Sequence, residues 1–309
     1  MTSKMRGKFH ALAKVLAAEM AGEVHERVSM RSHTSFRIGG LCELMVFPQT
    51  QAELELVVSR GQAEKIPWRV LGAGTNLLVR DGGVEEILLN LSRSFHQVQV
   101  SQDGEVMAEA GLRLARLVKT CQGQGFTGLE FAAGIPGTVG GAVAMNAGAM
   151  GSDLAAVVKK VRGFLPGSGG FEWQKKQLKW SYRSLERPAE AVFTSVHFQL
   201  QAADPKDIRA RILQGLRERR ARQPLHFPSA GSVFKNPRGR FAGQLLEEAG
   251  MKGQRVGDAQ ISEKHANFIV NRGRARSRDV LALIERACKA VAERTGIELE
   301  LEIEVIGKD

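Results

Sequence analysis

Two glycine-rich segments carry the clearest chemical signal in the chain. The first, Leu71-Gly-Ala-Gly-Thr-Asn-Leu-Leu78, follows a predicted strand at 68–71, and the second, at 134–148, places five glycines and Pro136 within 15 residues. Small residues allow backbone N–H groups to approach a phosphate closely. Either segment alone is equally consistent with a tight turn and with an anion cradle. Together they favour a diphosphate site.

A third segment, Gly123-Gln-Gly-Phe-Thr-Gly128, matches the bare dinucleotide pattern GxGxxG. That pattern binds pyrophosphate only where a strand precedes it and a helix follows, so that the ligand meets a helix N-terminus. Here a helical pattern precedes the segment and an extended one follows. We interpret its glycines as a helix stop and a turn.

Composition limits the class of protein. With 309 residues, 43% hydrophobic and 25% charged, the chain is typical of a globular protein with more than one domain. The three scattered cysteines lack the spacing of a disulfide framework or a metal site. No segment is a signal peptide or a membrane span, which predicts a cytoplasmic protein. The net charge of +11 fits attraction of nucleotide anions, and its arginine clusters indicate a solvated helix face.

Periodicity predicts the elements that hold these segments. Helices are expected at 9–28, 51–62, 112–122, 241–249 and 278–294, and a basic helix from Pro205 with Ile208, Ile212, Leu213 and Leu216 as its apolar stripe. Strands are expected at 68–71, 86–91, 98–100, 106–110, 191–201, 267–270 and 297–306. The predicted class is α+β, with a domain boundary near residue 204.

Further motifs give these segments a specific resemblance. Thr34-Ser-Phe-Arg-Ile-Gly-Gly40 precedes them, and Ser181-Tyr-Arg-Ser184, Gly231-Ser-Val-Phe-Lys-Asn-Pro237 and a Glu-rich C-terminal segment follow. In this order, from about residue 25 onward, the chain resembles the UDP-N-acetylenolpyruvoylglucosamine reductase family. It is similar to the shorter subtype, because no extra Tyr-bearing loop fits between Ser184 and Ala191, and it has Thr75 where the family more often has Ser.

The resemblance implies a two-subdomain FAD-binding module of the FAD oxidase/dehydrogenase (PCMH-like) type with a C-terminal α/β substrate domain. We expect these domains at 1–95, 96–203 and 204–309. Non-covalent FAD and the reductant NADPH are the implied cofactors, and UDP-N-acetylmuramate, a peptidoglycan precursor needed for cell shape and division, is the implied product. The implied cofactor-binding residues are Arg37, Leu71, Gly72, Ala73, Gly74, Thr75, Asn76, Leu77, Gly134, Ile135, Pro136, Gly137, Gly140, Gly141, Asn146 and Gly148.

The resemblance also implies three catalytic residues. Arg183 would stabilise an enolate-like intermediate, Ser232 would donate a proton to its carbanionic carbon, and Glu302 would polarise it together with Arg183. Tyr182, Lys235 and Asn236 are expected to bind substrate, and no metal is expected. Each has an ordinary structural alternative: a surface Arg, a turn Ser, a half-buried Tyr.

The choice among the C-terminal glutamates is open at this stage. Glu298, Glu300, Glu302 and Glu304 alternate with apolar residues, and periodicity places all four on one face of a strand. The family motif selects Glu302, but a two-residue slip would select Glu300 or Glu304.

Two other functions compete with this one. A different FAD oxidase or dehydrogenase would share the cofactor domain and act on another substrate. A basic nucleic-acid-binding protein would explain only the charge, and no nucleic-acid-binding motif is present. We therefore expect small-molecule partners, neither nucleic acid nor membrane, and favour a monomer.

Overall fold

The computed structural model describes residues 3–309, and the side chains of residues 5–309. Seven α-helices occur in this part of the chain: α1 Ser3–Glu19, α2 Gln51–Ala63, α3 Leu114–Gly123, α4 Val139–Ala144, α5 Pro205–Arg222, α6 Ala242–Glu248 and α7 Ser277–Thr295. The strands are β1 Glu23–Ser29, β2 Leu41–Phe47, β3 Trp68–Leu71, β4 Leu77–Val79, β5 Val84–Asn90, β6 Val98–Val100, β7 Glu105–Glu109, β8 Phe126–Thr127, β9 Gly148–Ala149, β10 Ser152–Asp153, β11 Val158–Leu165, β12 Gly169–Gln174, β13 Lys179–Ser181, β14 Ser184–Glu186, β15 Val192–Gln199, β16 Gln201–Ala202, β17 Arg255–Val256, β18 Ala259–Ile261, β19 Ile269–Asn271 and β20 Glu304–Ile306. The predicted α+β class is confirmed.

The chain folds into two compact units. The first contains the described part of Met1–Glu26 together with Leu44–Ala73 and Glu86–Glu218, and the second contains Arg27–Glu43, Gly74–Glu85 and Arg219–Asp309. This division differs from the expected three domains, since the segment after Gly74 belongs with the C-terminal residues. The physical reason is that β4 pairs in parallel with β20, from Leu77↔Glu304 to Val79↔Ile306.

The first unit is built on an antiparallel sheet in the order β12-β11-β15-β7-β6. Its inner face carries buried Val106, Val161, Val196 and Phe198, which join the helix side chains of α1 to α4 in one apolar core. A parallel pairing of β3 with β5 ends at Leu71. The first glycine-rich segment therefore begins at the end of a strand, as predicted.

A short hairpin, β13–β14, extends from this unit. Ser181 pairs with Ser184, so Tyr182 and Arg183 form a two-residue turn between the strands. Leu185 anchors the hairpin, because its side chain is buried in the core. The Ser-Tyr-Arg-Ser motif is thus a hairpin tip.

The second unit has its own core, formed by α6, α7, the three-stranded sheet β17-β18-β19 and the C-terminal residues. Helix α7 begins at Ser277, whose hydroxyl accepts a hydrogen bond from Asp81 N at 2.9 Å while Ser277 N donates to Asp81 Oδ1 at 3.1 Å. It ends at Gly296, which has φ 69°, as the sequence predicted.

Three predicted elements are wrong in part. The helix expected at 9–28 ends at Glu19, and β1 follows; Gly22 packs so closely that a Cβ there would lie 2.4 Å from Phe47 O. The strand expected at 297–306 is limited to β20. In α5, Ile208 is buried as expected, but Leu213 and Leu216 are exposed, because the buried face of this helix continues through Gly215 instead.

The segment Gly123–Gly128 has the structure of a helix end and a turn, as expected, and not that of a dinucleotide-binding loop. Gly123 is the last residue of α3 and the segment contains β8, so a helix precedes a strand, which is the reverse of the strand–loop–helix order that a dinucleotide site requires. Gly125 and Gly128 have φ 76° and 121°, values that favour glycine in a turn.

We predict that Gly140→Ala destabilises the first unit. A Cβ at Gly140 would lie 2.8 Å from the Cβ of Ala110, an atom fixed by its backbone. We expect the free energy of unfolding, measured by urea denaturation, to fall by about 1–3 kcal/mol through overpacking. The matched control is Gly170→Ala, where the nearest atom is 3.8 Å away and the change should stay within about 0.5 kcal/mol. Equal effects of both substitutions would refute the close-packing explanation.

Candidate active site

In the first unit, both glycine-rich segments line one pocket. Leu71 and Gly72 form one wall, and Thr138, Gly140 and Gly141 form another. The pocket has about 500 Å³ of space, part of it open to solvent. Apart from the glycines its lining is mostly apolar side chains, which suits a ligand with a planar apolar ring system.

The glycines keep the two walls close together. A Cβ at Gly72 would lie 2.8 Å from Thr138 Oγ1. The N–H groups of Val139 and Gly140 donate to Leu112 O and Ala110 O, each at 2.8 Å. These two donors are therefore committed to the fold, so the predicted phosphate cradle depends on other N–H groups of the segments.

The loop before α4 is fixed by its backbone. Gly134 and Gly137 have φ 78° and 133°, and Leu114 N donates to Gly137 O at 3.0 Å. Ile135 N donates to Ala132 O at 3.0 Å. Pro136 lies between these two hydrogen-bonded residues. The backbone that leads into the pocket is therefore fixed on both sides of Pro136. The last expected glycine of the segment, Gly148, lies in β9.

Arg187 is among the pocket residues that the sequence motifs missed. Arg187 carries the one charged side chain among the described residues that line the pocket. Its guanidinium lies 5.7 Å from the ring centroid of Phe193, which meets Trp173 edge-on. The only local signal is the following Pro188, since a residue before proline is restricted to extended conformations.

The hairpin tip presents Tyr182 and Arg183. Tyr182 is 47% exposed, and its ring lies 4.8 Å from the Arg183 guanidinium carbon. Arg183 is half-buried and has φ 58°, a left-handed conformation that costs a non-glycine residue about 1–3 kcal/mol. Such strain persists where neighbouring groups hold the backbone in place.

Asn146, an expected cofactor residue, is 2% exposed. Its Nδ2 donates to Ser181 O and to Asp153 Oδ2, and its Oδ1 accepts from Ala155 N, all at 3.1 Å. The amide side chain is thus fully engaged within the protein. The backbone N–H of Asn146 is engaged as well, since it donates to Val143 O at 3.0 Å.

In the second unit, the remainder of the first glycine-rich segment meets the C-terminal residues. Asn76 Nδ2 donates to Glu302 O at 2.9 Å, and Glu304 N donates to Asn76 O at 2.9 Å. Glu302 N donates to Val233 O at 2.8 Å. The backbone of Glu302 is therefore clamped between Asn76 and the residue that follows Ser232. This places one expected cofactor residue and two expected catalytic residues in one cluster.

The clamp separates Glu302 from the neighbouring glutamates. Glu298, Glu300 and Glu304 are exposed, whereas Glu302 is half-buried, because the chain bends at 302–303 and the alternation changes phase. Leu301 is correspondingly exposed at 36%. Four glutamates on one strand face, as periodicity predicted, do not occur.

The residues after Ser232 are positioned by the same C-terminal segment. Lys235 N donates to Glu300 O at 2.8 Å, and Lys235 Nζ lies 3.2 Å from Glu300 Oε2. Asn236 Oδ1 accepts from Ala242 N at 3.0 Å at the start of α6. Lys235 and Asn236, the two expected substrate residues, thus follow Ser232 closely. Each already makes contacts within the protein, Lys235 with Glu300 and Asn236 with Ala242 N.

Arg37 and Gly74 belong to one hydrogen-bonded loop pair. Arg37 N donates to Thr34 O at 3.2 Å, and Ser35 N donates to Gly74 O at 3.0 Å. Gly74 has φ 62°, and a Cβ there would lie 2.0 Å from His33 O, so only glycine fits. Thr75 and Leu77 continue this segment into β4. The Arg-Ile-Gly-Gly element and the first glycine-rich segment are thus brought together.

Cysteine and metal chemistry have no support in the described residues. Burial raises the pKa of the Cys121 thiol to about 12 and also raises that of Cys288, so both stay protonated near neutral pH. No group of three or more His, Cys, Asp or Glu side chains within residues 5–309 is arranged to hold a metal ion. None of the helices in this part of the chain is long and apolar enough to cross a membrane.

Comparison with known proteins agrees with this arrangement. Residues 42–170 match the family "FAD binding domain", and residues 223–306 match "UDP-N-acetylenolpyruvoylglucosamine reductase, C-terminal domain". The chain is 40% identical over 300 residues to the UDP-N-acetylenolpyruvoylglucosamine reductase of Anoxybacillus flavithermus, covering 96% of this chain and 99% of that one.

Comparison with solved structures gives a similar reductase and a protein that is similar in fold. The crystal structure of UDP-N-acetylenolpyruvylglucosamine reductase from Thermus caldophilus is 38% identical, with TM-score 0.80, over 92% of this chain and 99% of that chain. An Acremonium strictum glucooligosaccharide oxidase is similar in fold alone, at 14% identity and TM-score 0.51, over 94% of this chain and 59% of that one.

The fold and the glycine-lined pocket define an FAD-dependent oxidoreductase, with an FAD-binding module followed by a C-terminal domain. Within that class, the chain belongs to the UDP-N-acetylenolpyruvoylglucosamine reductase family. The expected family and fold are confirmed. The individual roles of the site residues remain predictions.

We predict that Arg187→Ala weakens FAD binding. Loss of the one cationic side chain on the pocket removes a partner for the diphosphate, and we expect the FAD dissociation constant to rise about three- to tenfold, since an exposed charge is partly screened. Flavin fluorescence released on serial dilution of the holoenzyme measures this constant. Arg209→Ala, an exposed arginine of α5, is the matched control. An unchanged dissociation constant in Arg187→Ala would exclude the role.

Proposed function

We propose that the protein reduces the enolpyruvyl ether of UDP-N-acetylglucosamine enolpyruvate to UDP-N-acetylmuramate, with NADPH as reductant, in the cytoplasmic synthesis of peptidoglycan precursors on which cell shape and division depend. Family membership supports the reaction type. The observation that supports the proposal is the clamp on Glu302, whose backbone N–H donates to the carbonyl of Val233, the residue after Ser232.

The first-unit pocket fits FAD. Its walls approach too closely for a side chain at Gly72, and Arg187 offers a cation for a diphosphate, while no carboxylate is among the described lining residues. FAD would supply the transfer of a hydride, taken from NADPH, to the terminal carbon of the enolpyruvyl double bond. Leu71, Gly72, Gly140 and Gly141 would hold it, and the N-terminal α+β scaffold would orient it.

Arg183 and Glu302 would manage the charge that this addition creates. Negative charge develops on the carbon bearing the ether oxygen and on the adjoining carboxylate. The planar guanidinium of Arg183 suits a carboxylate, and its place in a rigid turn means that it needs little reorganisation. Glu302, half-buried and held through its backbone N–H and C=O, would polarise the same group as the protonated acid, by donating a hydrogen bond to it.

Ser232 would complete the reaction by donating a proton to the carbanionic carbon. One hydride and one proton then convert the enolpyruvyl group to a lactyl group, and NADPH leaves as NADP⁺. The Ser232 position is fixed by a bridge to Phe268 and by the Val233–Asn267 and Val233–Glu302 hydrogen bonds. A hydroxyl can serve as the acid because the acceptor is a strong base.

The remaining residues would bind substrate. Lys235 and Asn236 follow Ser232 directly and suit a phosphate or a carboxylate. Tyr182 is exposed at the hairpin tip, where its ring is available to a ligand.

A different FAD oxidase or dehydrogenase activity is the second candidate. The shared cofactor domain supports it, but the match of residues 223–306 to the reductase C-terminal domain favours the first proposal. A nucleic-acid-binding protein would be colourless when purified and would be retained on DNA in a salt-sensitive manner. A yellow preparation with a flavin spectrum excludes that class.

We predict that Ser232→Ala separates the two half-reactions. Flavin reduction by NADPH should be unchanged, while reoxidation by the enolpyruvyl substrate should slow by about 10²-fold or more, because the proton donor is lost. Anaerobic stopped-flow absorbance measures both steps. Ser229→Ala in the same loop is the control. Equal loss of both half-reactions in Ser232→Ala would argue against proton donation.

We predict that Glu302→Gln slows reoxidation by about 10²-fold, since the carboxylic acid that would polarise the negatively charged intermediate is lost. Glu300→Gln is the matched control: this exposed carboxylate pairs with Lys235, and its loss should change the rate by at most about fivefold. If Glu300→Gln causes the larger loss, the assignment of Glu302 is wrong.

A further inference from the structure

Asn146 has a bonding pattern that its place in a glycine-rich cofactor segment does not explain. Its side chain is buried, and its backbone has φ 44°, a left-handed conformation that Asn tolerates better than most residues. All three described hydrogen bonds of its amide go to protein atoms: Ser181 O, Asp153 Oδ2 and Ala155 N. The side chain therefore connects the end of the glycine-rich segment to β10 and β13.

The bond to Ser181 O has the most direct consequence for chemistry. Ser181 is the last residue of β13, and its pairing with Ser184 closes the turn that contains Arg183. Arg183 has φ 58° in that turn. A strained residue keeps such a conformation only where its surroundings over-determine it. Asn146 Nδ2 provides one such constraint at the base of the turn, because it fixes the carbonyl that precedes Tyr182.

We propose that Asn146 is a positioning residue, which holds the Tyr182–Arg183 turn and thereby directs the Arg183 guanidinium toward the substrate carboxylate. This inference rests on the proposed function, in which Arg183 stabilises the charge that develops on substrate. It assigns to the Asn146 side chain the geometry of a catalytic arginine, in place of the cofactor contact that the sequence motif implies.

Asn146→Gly tests the proposal without added backbone strain, because glycine adopts φ near 44° freely. The holoenzyme is reduced chemically with dithionite under anaerobic conditions and then mixed with UDP-N-acetylenolpyruvoylglucosamine. We expect flavin reoxidation to slow by about 10²-fold, the cost of a misplaced catalytic group. FAD content and the rate of flavin reduction by NADPH should stay within about twofold of the unsubstituted protein, as expected for a site that acts only in the later step.

A double-mutant cycle with Arg183→Ala separates positioning from a general structural effect. If Asn146 acts through Arg183, adding Asn146→Gly to Arg183→Ala should slow reoxidation by less than about threefold further. A full additional loss of about 10²-fold in the double variant would overturn the inference while leaving the proposed function intact. No effect of Arg183→Ala alone would overturn the proposed role of Arg183, and this inference with it.

Two further variants complete the test. Asn146→Asp keeps the acceptor for Ala155 N but removes the amide donor, and it should slow reoxidation as Asn146→Gly does. Val106→Ala, in buried β7, lowers stability without touching the turn and should leave reoxidation within about twofold. Loss of bound flavin in both Asn146 variants would contradict the inference, because the side chain would then support the cofactor site.

Discussion

The hydrogen bond between Glu302 N and Val233 O, together with that from Asn76 Nδ2 to Glu302 O, is the constraint on which the second unit depends. It joins the first glycine-rich segment, the Ser232 loop and the C-terminal segment, although Asn76 and Glu302 are 226 residues apart in sequence. The parallel pairing of β4 with β20 begins directly beyond this point. The backbone of Glu302 is thus held on both sides by residues distant in sequence.

In the first unit, too, the backbone fixes the position of an expected catalytic residue, here Arg183. The walls of its pocket approach closely because they carry glycines. Arg183 lies in a two-residue turn, and the hydrogen bonds around this turn hold its strained backbone in place. The N–H groups of Ile135 and Gly140, two of the expected cofactor residues, are committed to backbone carbonyls. The glycine-rich segment at 134–148 therefore serves packing and turn geometry as much as ligand contact. This explains why such a segment is hard to interpret from sequence alone.

The sequence predicted much of this architecture, and its failures have physical causes. Strands β3 and β6 and the end of α7 at Gly296 follow from apolar periodicity and glycine stops, which are local signals. Periodicity failed for Glu302, because the bend at 302–303 is imposed by partners distant in sequence. It failed at β1 since the break at Gly22 follows from packing against Phe47 O. Arg187 belongs to no motif, and the Pro188 that follows it indicates only an extended backbone, so its position on the pocket had to come from the structure.

The proposed reaction is tested by measuring its two half-reactions separately in the unsubstituted holoenzyme. NADPH should bleach the flavin absorbance under anaerobic conditions, and UDP-N-acetylenolpyruvoylglucosamine should then restore it with one UDP-N-acetylmuramate formed per flavin. We expect both steps in that order. Bleaching by NADPH followed by recovery with oxygen, but none with the enolpyruvyl sugar, would contradict it.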